Sequence, residues 1–116
     1  MCNDLIDEMR EKLKDKAYYG SKLYYTTGYY ESALSAFGNM LKDFPGSENA
    51  QEVRFLMVKS AYIQADNSIY DKKEDRFLET AKLYNEYKRK YETSKYDEEL
   101  YEIFKETTKQ LQKFKV

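Results

Sequence analysis

Residues 28–45 read GYYESALSAFGNMLKDFP. In this stretch Tyr30, Ala33, Leu34, Phe37, Met40, Leu41 and Phe44 recur at three- and four-residue steps, which gives a helix one wet and one dry side. Gly28 suits the turn before that helix, and Pro45 cannot continue it. Ala33 is small where a bulky side chain would hold a neighbouring helix away, and Phe37 supplies a knob one turn later. A small residue, then an aromatic, then a proline eight residues on is the pattern of the second helix in a helix–turn–helix repeat.

The helix before it is expected from Asn3 or Asp4, either of which can act as N-cap, with Asp4, Asp7 and Glu8 near its positive end. Leu5, Met9, Leu13, Ala17, Gly20 and Tyr24 follow at helical spacing. Glycine inside a helix costs about 1 kcal/mol against alanine, so Gly20-Ser21 reads as a packing notch for the next helix. Thr26-Thr27-Gly28 is short enough to force antiparallel neighbours.

Beyond Pro45, Ser47 is the expected N-cap of a third helix carrying Val53, Leu56, Met57, Ser60, Ala61 and Gln64 and ending near Asn67. A longer, turn-like connection is expected over 67–71. The fourth helix should run from about Lys73 to Tyr91, with Phe77, Thr80, Ala81, Tyr84, Tyr87 and Tyr91 on one side. Glu92-Thr93-Ser94 breaks it. A fifth, from near Tyr96, carries Leu100, Ile103, Phe104, Thr107, Leu111 and Phe114, with Lys105, Lys109, Lys113 and Lys115 toward its negative end.

The chain repeats itself weakly at an offset of 47 residues. Ala33, Phe37, Met40, Phe44 and Ser47 answer to Thr80, Tyr84, Tyr87, Tyr91 and Ser94. A longer third helix and the loop through Asp71 are the expected sources of the excess over a 34-residue repeat. The fold class expected is therefore all-α: antiparallel helix pairs stacked as a right-handed solenoid of about five helices. It forms a single domain over 1–116, with repeat units at roughly 3–45 and 47–92 and a terminal helix over 95–115.

Composition narrows the chemistry. With 20 basic and 21 acidic residues the net charge is −1, and a basic stripe of the kind that tracks nucleic acid is missing. There is no histidine, which removes the commonest general base and metal ligand together. Cys2 is the only cysteine, so neither an internal disulfide nor a thiolate zinc site is available. Directly after Met1 it has the place of a lipid-bearing cysteine, but the helix expected immediately behind it argues against that reading. No run approaches the roughly 18 apolar residues of a membrane span, and no basic-then-apolar leader opens the chain.

Local clusters have plain explanations. Asp97, Glu98, Glu99 and Glu102 suit the first turn of a helix better than a catalytic pair, which would need a pocket and unequal pKa values. Asp66, Asn67, Asp71, Glu74 and Asp75 lack the order and central glycine of a calcium loop. Lys88-Arg89-Lys90 beside Tyr84, Tyr87 and Tyr91 reads as a dipole-complementing helix end, not a nucleic-acid groove. Met9, Met40 and Met57 lie at core spacing. No enzyme, cofactor or metal site is expected.

The first unit resembles the tetratricopeptide repeat. Gly28, Tyr30, Ala33, Phe37 and Pro45 stand at the signature positions of its second helix, Ser21 at the small position of its first, and Met40 where alanine is usual. More narrowly, KLYYTTGYYESALSAFGNMLKDFPGS, FLMVKSAYIQADNSIYDKKEDRF and YNEYKRKYETSKY resemble BamD, the family of outer-membrane lipoproteins of the β-barrel assembly machinery, most of all its forms from Bacteroidetes. The likeness covers nearly all of the chain and corresponds to the C-terminal half of that family. Glu92 departs from the proline often found there. The resemblance implies a non-catalytic scaffold at the periplasmic face of the bacterial outer membrane, with signal and lipid anchor upstream. It also implies docking of the periplasmic domains of the barrel-forming subunit, beside the other assembly lipoproteins.

In such repeats the first helices line the concave surface. Counting from the signature positions, Tyr18, Lys22 and Tyr25 face that way, with Glu52, Leu56 and Lys59 as the equivalent set on the third helix. Tyr19 and Tyr29 also fall off the core stripe. Exposed rings beside charges suit a protein-binding surface; the alternative is that Tyr18 or Tyr25 packs on a preceding repeat. The other open function is a general peptide-binding module that holds an extended segment in its groove. Leu5, Ile6, Met9 and Leu13 outrun the helix that begins after Gly28. They are expected to be exposed here and available for self-association.

Overall fold

The computed structural model describes residues 2–114, and side-chain surroundings from residue 5 onward. Expectations for the side chains of Cys2, Asn3 and Asp4, and for Lys115, lie outside that range. The described chain is five helices with no strand: α1 (Cys2–Thr26), α2 (Tyr30–Asp43), α3 (Ala50–Asp66), α4 (Tyr70–Lys90) and α5 (Asp97–Gln112). Each packs on the next, and α5 also reaches back to α3, in a body of 64 × 29 × 18 Å.

The first turn is built by backbone chemistry. At the end of α1 the Tyr29 N–H donates to the Tyr24 carbonyl at 2.9 Å and the Gly28 N–H to the Tyr25 carbonyl at 3.3 Å. That pair of bonds satisfies two carbonyls the helix leaves over, and it requires a left-handed residue between them. Gly28 has φ +89°. A Cβ there would meet nothing within 4 Å, so glycine is needed for its backbone freedom rather than for space.

Below the turn, α2 buries Ala33, Phe37 and Met40 as its spacing requires. Tyr30, Leu34, Leu41 and Phe44 are half-buried at the edge. On α1, Lys14, Ala17, Tyr18, Ser21 and Tyr25 turn inward, while Leu5, Ile6, Met9 and Leu13 are 58–61% exposed, as expected. Ser21 is buried and donates to the Ala17 carbonyl at 2.7 Å. The notch reading of Gly20 is corrected in its closeness: half-buried Gly20 lines the groove between α1 and α2 with Ala36 and Met40, yet no neighbour comes within 4 Å of a Cβ placed there.

The central helix departs most from its sequence stripe. Besides Val53, Leu56, Ser60 and Ala61, α3 buries Phe55, Val58 and Ala65. A helix covered by α2, α4 and α5 together has little wet side left, so its periodicity blurs.

The fourth helix begins three residues earlier than Lys73, at Tyr70, and the connection before it is short. Ser68 closes α3 by donating to the Gln64 carbonyl at 2.5 Å, and Arg76 reaches back to the Ser68 hydroxyl at 2.6 Å. Asp71, Glu74 and Asp75 are helical residues, not loop. Part of the stretch in the second copy is therefore carried by α4, 21 residues against 14 in α2.

Backbone bonds repeat at the offset of 47. Phe44 N–H donates to Met40 and Tyr91 N–H to Tyr87, at 2.8 and 2.9 Å. Asn49 N–H donates to the Ser47 hydroxyl and Tyr96 N–H to the Ser94 hydroxyl, at 3.1 and 3.2 Å. Val53, Leu56 and Ser60 are buried, as are Leu100, Ile103 and Thr107. At the second copy the Ser94 N–H also donates to the Asp97 carboxylate at 2.9 Å, which ties the turn before α5 to the first residue of that helix.

Two substitutions test this local chemistry. Gly28→Ala should lower stability by about 1 kcal/mol, read from the urea midpoint, although the site has room for the methyl group. Ser94→Ala removes the acceptor of Tyr96 and of the Tyr87 hydroxyl. It should cost about 1–2 kcal/mol in the same assay.

Candidate protein-binding face

Charged residues of the odd-numbered helices meet across the gaps between them. From α1, the Tyr18 hydroxyl donates to the Glu52 carboxylate of α3 in a short hydrogen bond. Lys22, one turn on, donates to the Tyr18 oxygen at 3.2 Å and stands 3.4 Å from the second Glu52 oxygen. Its ammonium also sits 5.0 Å from the Tyr18 ring centre, where a cation and an aromatic face attract. Further along α3, Lys59 pairs with Glu99 of α5 at 2.6 Å and lies 5.7 Å from the Phe55 ring centre. Phe55 in turn stacks on Tyr96 at 4.2 Å.

Protonation follows from these contacts. Partial burial, then the hydrogen bond to Glu52, pushes the Tyr18 phenol up from its ordinary value. Lys22 is raised by its bond to Tyr18 and by Glu52 nearby. Glu99 raises Lys59, with Tyr25 contributing. Burial raises Tyr62, and Asp66 and Glu106 push the same way.

Of the six residues expected on this face, Tyr18, Lys22 and Glu52 come together as one cluster, and Lys59 lies farther along the same helix. Tyr25 is half-buried, edge-on to Tyr30 at 5.8 Å. Leu56 is a correction. It is 7% exposed and belongs to the core, because α3 has helices on more than one side. Tyr18 and Tyr25 also pack against the core, so truncating them removes packing as well as surface. Tyr19 and Tyr29, which also fall off the core stripe, are 67% and 64% exposed.

Sequence reasoning missed Glu99 and Phe55. Glu99 was read as part of a helix-start cluster, yet it is the cross-helix partner of Lys59. Asp97 does belong to the helix start. The Ser94 N–H, then Lys88, hold its carboxyl below the usual range. Lys88 also donates to the Glu92 carbonyl at 3.0 Å, so that basic run completes a helix end.

Among the described residues no group of acidic or cysteine side chains is placed to hold a metal ion, and no helix is long and apolar enough to cross a membrane. No protein-family model and no curated protein matches the chain.

The Tyr18–Lys22–Glu52 cluster gives a pH signature. Both Tyr18 and Lys22 have folded pKa values above their unfolded ones, so their stabilisation is full below about pH 10 and lost as pH rises through the folded values. The contacts are only partly buried, and solvent screening limits the cluster to about 0.5 kcal/mol. Urea midpoints at pH 8 and pH 11 should fall further for the wild type than for Glu52→Gln; equal falls would show that the cluster contributes nothing.

Proposed function

We propose that this chain is a non-catalytic protein-binding scaffold, a tetratricopeptide-like solenoid segment of the BamD type. On this reading it docks the periplasmic domains of the barrel-forming outer-membrane assembly subunit, alongside other lipoproteins of that complex, at the periplasmic face of the outer membrane. The observation that carries the scaffold reading is the row of odd-numbered helices. Tyr18, Lys22, Glu52, Lys59 and Glu99 tie α1, α3 and α5 into one continuous charged and aromatic face.

A surface of this kind supports recognition rather than reaction. Its carboxylates and ammonium groups neutralise one another in pairs. Enzymes that use two titrating groups separate their pKa values by environment, and here each group is matched to its opposite charge. Rigid aromatic–charge pairs held at fixed spacing suit a partner whose own charges can exchange with them. The resemblance of residues 22–47, 55–77 and 84–96 supports the narrower assignment.

The test is capture from outer-membrane extract on the immobilised chain, read by mass spectrometry. A barrel-forming polypeptide should be recovered, and Lys22→Ala with Lys59→Ala should reduce its recovery severalfold while leaving the urea midpoint within about 1 kcal/mol of wild type. Recovery of assorted extended C-terminal tails instead would favour a peptide-holding groove and sink the docking assignment.

A further inference from the structure

Helix α1 outruns the helix it packs on. Its neighbour α2 stops at Asp43, whose carbonyl accepts from Arg10 at 3.3 Å, so the two turns of α1 before Arg10 lie past the end of α2. On that overhang Leu5, Ile6 and Met9 are 58–61% exposed. Leu13, Leu23 and Tyr24 continue the exposed stripe at 46–63%. At 3.6 residues per turn these six positions and Gly20 fall within about a third of the helix circumference.

Farther along the same side of α1 runs an open groove of about 360 Å³ between α1 and α2, lined by Leu13, Gly20, Tyr24, Ala36 and Met40. Gly20 makes a notch in it, for a Cβ placed there would meet nothing within 4 Å. The overhang, centred between Ile6 and Met9, lies roughly 19 Å from Gly20 along the helix axis, and Leu13 stands near the midpoint. A second α1 laid antiparallel on this face, centred on Leu13, therefore has its overhang where the first has its groove, and the reverse.

We propose that two copies of this chain pair through α1 in this two-fold, antiparallel way, the Leu5–Ile6–Met9 overhang of each seated in the α1–α2 groove of the other. Two features select a second copy as the occupant. Overhang and notch lie on one helix at similar distances either side of Leu13, which is the self-complementarity an isologous contact requires. The area is also sufficient. At roughly 100 Å² each, the six exposed side chains supply on the order of 600 Å² per copy, and a pair reaches the lower bound of about 1,200 Å² for a stable interface. Association closes at the dimer, because each copy uses its overhang and its groove together. Charge supplies none of the attraction. Lys12 is already matched by Glu8 at 3.8 Å, and Lys16, inside the stripe, opposes the approach of a second Lys16. The contact is independent of the partner proposed above, because it uses neither Lys22 nor Lys59.

Sedimentation velocity across micromolar to millimolar protein, in low salt and in 0.5 M salt, tests it. The weight-average mass should rise to that of a dimer and level there, and salt should strengthen the rise by screening Lys16. Leu13→Asp and Gly20→Gln should each weaken association roughly tenfold or more with unchanged helical circular dichroism, and Lys16→Leu should tighten it about tenfold. In a Cys2→Ser background, Met9→Cys and Gly20→Cys chains mixed and oxidised should crosslink to each other more than either does to itself. A wild type that stays monomeric throughout would overturn the proposal and leave the stripe to another partner, as would a mass that climbs past the dimer. A dimer indifferent to Gly20→Gln, or one in which Met9→Cys crosslinks chiefly to itself, overturns it too, since that is pairing in another register or direction.

Discussion

Burial of α3 is the constraint on which the remaining structure depends. Val53, Phe55, Leu56, Val58, Ala61 and Ala65 are all withdrawn from water on this one helix. Fully burying a side chain the size of Val53, Phe55, Leu56 or Val58 contributes about 1.5–3 kcal/mol. No other element touches as many partners, for α2, α4 and α5 all rest on it. The outer helices can afford wet faces because α3 has almost none. The same arrangement fixes the spacing of α1, α3 and α5, and hence whether Tyr18 reaches Glu52 and Lys59 reaches Glu99.

Around that centre, local backbone chemistry decides where each helix stops and how the next one leaves. Gly28 reverses the chain after α1 because only a left-handed residue lets two leftover carbonyls be satisfied at once. Ser47 and Ser94 receive the incoming backbone of α3 and α5 in the same way, 47 residues apart. The second copy is braced more firmly. There the Tyr87 hydroxyl donates to Ser94 at 2.7 Å, Gln51 donates to Tyr87 at 3.2 Å, and Lys88 and Asp97 close the cluster at 3.0 Å. Glu92 stands where the first copy has Pro45, and these bonds supply the stop that a proline would otherwise impose.

The charged face and the two open ends are consequences of the same layout. Helices packed mainly on their chain neighbours leave one row of side chains exposed along each edge, and they leave apolar surface wherever the row ends. The edge built from α1, α3 and α5 carries tyrosine and ion pairs, which offer orientation and selectivity more than raw affinity. The outer side of α1 carries leucine, isoleucine and methionine, which offer the reverse.

Much of this architecture was legible in the sequence, because helix and turn are local matters. The steps of Ala33, Phe37 and Met40, the Gly28 turn and the serines at 47 and 94 all act within a few residues of themselves. The regular stripe of α1 was equally visible, but periodicity alone does not say which of two apolar sides a neighbour will cover. Tertiary packing made that choice: Ala17, Ser21 and Tyr25 turned inward and Tyr24 outward. It also drew Leu56 into the core, left an open groove between Gly20 and α2 and joined Lys59 to Glu99. Those outcomes depend on how several helices meet, and spacing along one chain carries no record of contacts between elements 30 or 40 residues apart.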